Sequence, residues 1–101
     1  MYVLTKLNDK KHKYQIITPN GKKIKFGAYG YSDYTIHKNK IRKQNYIARH
    51  QKRENWNDLD TAGFYSRWIL WNKPTLEESI KDTERKFKIK ISTPNQHIFS
   101  M

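Results

Sequence analysis

Apolar and polar residues first alternate with a period of two. In KYQIITPNGKKIKFG (residues 13–27), Tyr14 and Ile16 flank Gln15, and Ile24 and Phe26 alternate with Lys23 and Lys25. That period sends successive side chains to opposite faces of a strand. Between the two runs, Pro19 offers a fixed φ for the first turn position and Gly21 offers a left-handed residue. The segment predicts a β-hairpin. Residues 2–7, YVLTKL, supply a third strand, which the hairpin needs because two strands alone are marginal in water.

After a Gly- and Tyr-rich connection over 27–34, the pattern changes. Residues 36–53 contain no Gly or Pro and predict a helix, with capping available at Asp33 or Thr35. Polar turn formers over 54–60 break it. Residues 61–71, TAGFYSRWILW, suit a short helix with Phe64, Trp68 and Trp71 on one face, although Gly63 weakens it by about 1 kcal/mol relative to Ala. These rings could stack on bases, but rings at helical spacing more often form the core. Asn72-Lys73-Pro74 then stops the element. Over 75–87, Thr75 and Glu78 form a capping box, Leu76, Ile80, Thr83 and Phe87 form a narrow apolar stripe, and Glu77 pairs outward with Lys81. Residues 86–91, KFKIKI, return to a period of two, as a short strand rejoining the sheet or as a fraying helix end. The last ten residues have no period and carry Ile98 and Phe99. The expected architecture is α+β: a small antiparallel sheet built on a β-hairpin, packed with two or three helices. It forms a single domain over 1–101, with an ordered core over 2–91 and a tail over 92–101 that is flexible or binds a partner.

Only 36% of the residues are hydrophobic, but 14% are aromatic. Rings that each bury about 150–250 Å² can build a compact core from few positions. Cysteine is absent, which excludes disulfides, a thiol nucleophile and the usual Cys-type zinc site. No window approaches the ~18 apolar residues of a membrane-spanning helix, so no membrane insertion is expected. The start of the chain does not read as a secretory signal.

Charge changes the picture most. The net charge is +12 with a pI of about 10.0. Residues 1–56 hold 14 Lys or Arg against 3 Asp or Glu, a net +11, whereas residues 57–101 hold 7 against 6. The first half therefore builds a surface that attracts polyanions, and the second half is the part that packs. Nine of the seventeen residues in HKNKIRKQNYIARHQKR (37–53) are Lys, Arg or His, and none is acidic. A helix that merely faces water usually mixes signs to gain pairings. On a continuous helix Lys38, Arg42, Asn45, Arg49 and Arg53 share one broad face about 22 Å long. Tyr46 lies at its margin, Lys52 adds to the charge, and Ile41 and Ala48 turn toward the aromatic half. Arg forks suit phosphate or guanine, and Asn suits adenine or phosphate. Lys22, Lys23 and Lys25 on the hairpin supply a second basic surface, so helix and hairpin form a two-part polyanion clamp. Tyr29, Tyr31 and Tyr34 either stack on bases or pack beneath the helix.

Enzymatic residues are not evident. His37 and His50 with Asp33 and Glu54 raise a metal-dependent nuclease, but the thirteen-residue separation puts the two imidazoles on different faces of a continuous helix. HExxH, Walker A and dinucleotide motifs are absent. No catalytic residue, metal or cofactor is expected.

GYSDYTIHKNKIRKQNYIARHQKRENW, followed by TAGFYSRWILWNKPTLEESIKDTERKF, resembles a group of short basic proteins of large nucleocytoplasmic DNA viruses, from about Lys13 to Lys88. YIARH (46–50) and GFYSRWILWNKPTL (63–76) are its most specific phrases. That group is a domain of unknown function and implies no catalytic residues. The resemblance implies a viral protein working in the virion or in a viral factory in the host cytoplasm, the host nucleus also being open to it. It makes nucleic acid, DNA rather than RNA, the expected partner. The alternative it raises is a minor capsid or core protein that uses the same basic and aromatic surface against other virion structural proteins.

Overall fold

The computed structural model describes residues 1–94. The segment carrying Ile98 and Phe99 lies outside the described residues. The hairpin forms as its alternation predicts: β2 (His12–Ile17) pairs antiparallel with β3 (Lys23–Ala28), placing Ile16 opposite Ile24 and Tyr14 opposite Phe26. Its turn closes through the Gly21 N–H to the Thr18 carbonyl at 2.9 Å, with Gly21 at φ +89°. β1 (Tyr2–Lys6) is the third strand, antiparallel to β2 with Leu4 opposite Ile16.

The sheet is not wholly antiparallel. A two-residue strand, β4 (Ile91–Ser92), adds parallel to β1 and gives the order β3-β2-β1-β4. It arrives from the helical layer instead of from a hairpin, and such a crossover is the route by which parallel neighbours are joined. Glu84 fixes the return, accepting the Ile91 N–H at 2.8 Å.

The helix expected over 36–53 is two. α1 (Tyr34–His37) is capped by Asp33, whose carboxylate accepts the Thr35 N–H at 2.9 Å. Lys38 then turns left-handed at φ 56°, and Asn39 caps α2 (Lys40–His50) by accepting from Ile41 and Arg42 at 2.9 and 3.1 Å. An Asn side chain in such a run competes with the helix for its own backbone. Lys38 is therefore not on the face that carries Arg42, Asn45 and Arg49, and Lys52 and Arg53 follow in the turn after α2.

The segment 61–71 also departs from one regular helix. α3 (Ala62–Tyr65), capped by Thr61, runs into a π-helical turn over Ser66–Leu70, closed by the Trp71 N–H to the Ser66 carbonyl at 3.0 Å. Bonding to the fifth residue moves the buried face. Phe64, Tyr65, Ile69 and Leu70 are buried, while Trp68 and Trp71 pack half-buried on the flank of the core. These side chains meet Leu4, Ile16, Ile24, Phe26 and Ile91 from the sheet.

α4 (Leu76–Phe87) follows its sequence closely. Thr75 caps it at Glu78, Leu76, Ile80 and Thr83 are buried, and Glu77 pairs with Lys81 at 3.3 Å. The polar Thr83 in that stripe places its hydroxyl between the carbonyls of Ser79 (2.8 Å) and Trp68 (3.1 Å). It thereby serves a carbonyl at the π turn, where regular α-helical bonding is interrupted.

Gly27 sets the distance between sheet and π turn. It sits at φ +77°, and a Cβ there would lie 2.7 Å from Leu70 Cδ1 and 3.3 Å from Lys13 Cβ. Gly27→Ala is expected to destabilise the fold by about 2–4 kcal/mol, combining left-handed strain with overpacking. Urea denaturation of the two proteins measures this.

Candidate functional site

α2 docks through three consecutive-turn contacts on one face: Lys43, Tyr46 and His50. Tyr46 is buried and stacks on Trp71, with ring centroids 4.4 Å apart and planes 3° from parallel. His50 continues the stack on the other side of Tyr46 at 4.3 Å and 25°. His37 closes it at the far end against Trp71 at 5.3 Å. The two histidines thus bracket one aromatic ladder, because the break at Lys38 and Asn39 removes the continuous helix that would have separated them. Burial pushes the Tyr46 phenol well above the ordinary tyrosine range, with the Glu54 carboxylate adding to the effect.

Glu54 anchors the outer end of the ladder. It meets His50 Nδ1 at 3.2 Å and accepts from Trp56 Nε1 at 2.7 Å. Gly63 makes room for it, since a Cβ at that position would stand 2.9 Å from the Glu54 carboxyl carbon. Below, Arg67 lies over the Trp68 ring at 4.3 Å and donates to the Trp71 carbonyl at 2.8 Å.

The turn over 72–74 is the second anchor. Lys43 Nζ donates to the Asn72 carbonyl at 2.6 Å, and Lys38 Nζ donates to the Pro74 carbonyl at 2.7 Å. Asn72 in turn donates to the Asp82 carboxylate at 2.8 Å, which holds that carboxyl below its ordinary range. Burial pulls the Lys43 ammonium below the ordinary lysine range, Arg67 and Lys73 contributing in the same direction.

Between α2, the open end of the hairpin and α3 lies a cleft of about 730 Å³. Arg42, Asn45 and Arg49 line it from α2, Lys11, Lys13 and Lys25 from the hairpin side, and Tyr46, Trp71, Ser66 and Gly63 from its floor. Lys13 is already engaged with the buried Asp33 at 2.5 Å. Lys25 reaches Asp9 at 3.5 Å, whose carboxyl is held low, at about 2, by the backbone N–H groups of His12 and Lys11. Arg42, Arg49 and Lys11 have no ion-pair partner among the described residues.

The residues expected to bind polyanions therefore divide. Arg42, Asn45, Arg49 and Lys25 converge on the cleft, the three α2 side chains spanning about 10 Å. Lys52 and Arg53 are exposed just past the end of α2, Arg53 Nη2 lying 3.4 Å from the Arg49 carbonyl. Lys38 is tied to α1 and the 72–74 turn. Lys22 reaches across to the Asp60 carbonyl at 3.0 Å, and Lys23 is exposed outside the cleft. Ile41 and Ala48, expected to face the aromatic half, point outward, Ile41 being 70% exposed. The inward positions are instead Lys43, Tyr46 and His50. Of the loop tyrosines, Tyr34 packs beneath Lys43, while Tyr29 and Tyr31 are exposed. Lys11, just before β2, and Lys13, within it, also line the cleft, beyond the reach of any pattern within 37–53. Among the described residues no three His, Cys, Asp or Glu side chains gather into a metal-binding group.

Two outcomes test this geometry. Trp71→Ala removes the platform under Tyr46 and should destabilise the protein by about 3 kcal/mol. Amide exchange over α2 should accelerate more than over β1 and β2. The second outcome concerns His37, whose Nδ1 accepts the Asn39 N–H at 2.9 Å. Its burial, reinforced by the Arg42 charge, lowers its affinity for a proton relative to an ordinary histidine at 6.5. As pH falls the unfolded chain takes up that proton first, so this ring's contribution to stability is complete above about 6.5 and is lost below it. An NMR titration should give His37 a midpoint below 6.5, and His37→Phe should flatten the corresponding part of the stability profile.

Residues 2–50 match a family of unknown function (DUF5754), a span that takes in β1, β2, β3, α1 and all of α2. No curated protein and no solved structure matches the chain. Over its first half, then, the chain is similar to a family whose description assigns no activity.

Proposed function

We propose that the protein is a non-enzymatic nucleic-acid-binding protein that holds DNA mainly through its phosphates, in the cleft between α2 and the hairpin. The observation that carries this reading is the convergence of Arg42 and Arg49 from α2, and of Lys11 and Lys25 from the hairpin side, on one cleft, with Arg42, Arg49 and Lys11 lacking ion-pair partners among the described residues. A wall of guanidinium forks facing a wall of lysines matches a chain of phosphates running between them. Asn45 between the two arginines adds a neutral donor and acceptor, suited to positioning the backbone. The resemblance to basic proteins of large DNA viruses makes the viral genome the client we have in mind, within the virion or a viral factory.

A second reading, a structural virion component binding acidic protein surfaces, draws support from Ile41, 70% exposed on the outer side of α2. Stoichiometric retention with the shell after nuclease treatment would favour it, whereas release with the genome favours the first.

If about five phosphates are neutralised, log K should fall with log salt at a slope near −4.5. Changing Arg42, Arg49 and Arg53 to Glu should weaken binding by more than about tenfold and flatten that slope by two to three units, at about 0.9 per phosphate. Lys23→Gln, outside the cleft, should change little. Polarisation titrations of a labelled 30-mer, single- and double-stranded, at several salt concentrations measure all three. Absence of binding at low salt would sink the proposal.

A further inference from the structure

Beside the basic cleft lies a second, more apolar one of about 520 Å³, lined by Leu7, Tyr14, Tyr29, Tyr31 and Ile36, with Lys6 at its edge. Its volume falls within the roughly 300–1,000 Å³ of small-molecule pockets. The two clefts share a wall, since Lys13, Tyr31 and Ser32 line both. Large apolar side chains stand open around it: Tyr29 is 56% exposed, Tyr31 72% and Ile36 53%. Neither the packing of the core nor the docking of α2 uses them.

The two tyrosines are held in place by their backbone. The Tyr29 N–H bonds the Lys11 carbonyl at 3.0 Å, and the Tyr31 N–H bonds the Ala28 carbonyl at 3.3 Å. Gly30 between them adopts φ +87°, with open space where a side chain would stand. The Tyr-Gly-Tyr turn thus presents two rings on a fixed backbone, and each ring has only two side-chain torsions to immobilise on binding.

We propose that this cleft receives unpaired bases, so that the ligand of the basic cleft is a single strand instead of a duplex. This deepens the phosphate-binding reading above and rests on it. A single strand carries its phosphates and its base faces on separate sides, and it needs a charged track with aromatic platforms alongside. The chain offers both in contact: Arg42 and Arg49 on the track, Tyr31 at the boundary, and Tyr29 with Ile36 beyond it. In a duplex the base faces are stacked away, and the tyrosines would meet only sugar and phosphate. Two carboxylates line the basic cleft and both are engaged, Asp33 buried against Lys13 and Glu54 meeting His50 and Trp56, which blunts their repulsion of the strand.

The test compares a labelled single-stranded 12-mer of mixed sequence, the matching duplex, and an abasic 12-mer of equal charge, each titrated against wild type and Tyr29→Ala/Tyr31→Ala. Both substituted side chains are exposed, and far-UV circular dichroism checks that the double variant stays folded. Wild type should bind the single strand at least tenfold tighter than the duplex or the abasic strand. The double variant should lose about 5- to 150-fold for each stacked base on the single strand alone. Equal affinity for strand and duplex, or a variant that loses equally on all three ligands, would overturn the proposal. So would displacement of the single strand by poly-glutamate as readily as by unlabelled strand, which would point to an acidic protein partner. If duplex and strand bind equally and both still depend on Arg42 and Arg49, the phosphate-binding reading survives and only the base cleft falls.

Discussion

Tyr46 and Trp71 lie ring on ring, 4.4 Å apart and 3° from parallel, and α2 depends on that contact. The helix carries Lys40, Arg42, Lys43 and Arg49 and has no acidic residue of its own. It lies across a cleft from Lys11, Lys13 and Lys25. Charge alone would push it away. Exposed like charges repel by about 1 kcal/mol per pair at 4 Å in water and by less at longer range in salt. Burying a tyrosine ring of about 150–250 Å² contributes at most roughly 4–6 kcal/mol, and the stack adds about 0.5–1.5. One well-placed aromatic pair therefore outweighs several screened repulsions. The arginines stay at the cleft because Tyr46 is held beneath them.

The basic run is two populations of cation in one stretch of sequence. Lys38 and Lys43 end on the carbonyls of Pro74 and Asn72. A lysine ammonium, with rotatable donors on a flexible stem, can reach such single acceptors. The arginines of α2, whose planar forks suit paired oxygens, are left without carboxylates among the described residues. The first turn of α2 is also unfavourable by itself, since cations near a helix N-terminus oppose the backbone dipole by about 0.3–1 kcal/mol each. Asn39 offsets part of this with a cap worth about 1 kcal/mol. Lys43 leaves the first turn for the Asn72 carbonyl. Lys40 and Arg42 remain as charges that packing does not require.

Much of the fold was legible because its signals were local. The hairpin rests on alternation plus Pro19 and Gly21, and α4 rests on the Thr75–Glu78 cap and a four-three-four stripe. What escaped depended on distant partners. The π turn over Ser66–Leu70 has no propensity signature. Its surroundings are long-range contacts: Tyr65 and Leu70 are both buried in the core with the sheet, and Thr83, on another helix, serves the Trp68 carbonyl. The break in the basic helix did leave a trace, Asn39, whose side chain prefers to cap. Its effect was large: it took Lys38 off the expected stripe and allowed His37 and His50 to flank the same ladder. The inward turn of Tyr46 could have been read from Lys43, Tyr46 and His50 at three- and four-residue spacing. The charge pattern obscures this face, because two of its three residues, Lys43 and His50, are basic.

The separation of charge between the two halves of the chain has a structural counterpart. Acidic residues of the second half serve local architecture: Asp82 holds Asn72, Glu84 receives the returning strand, and Glu77 pairs with Lys81. None of these three lines the basic cleft. The acidic residues of the first half are likewise committed. Asp33 is buried against Lys13, Glu54 joins His50 and Trp56, and Asp9 is bound by two backbone N–H groups. The cleft keeps its positive field because nearly every nearby carboxylate is held by another group. The span that matches the family of unknown function, residues 2–50, contains the charged walls and Tyr46 but not Trp71, Ser66 or Gly63, which complete the floor. The walls can be spaced correctly only when the second half supplies that floor. Charge and the platform that positions it are therefore encoded in separate parts of the chain and meet where His37 and Tyr46 pack on Trp71 and where Lys38 and Lys43 reach the carbonyls of Pro74 and Asn72.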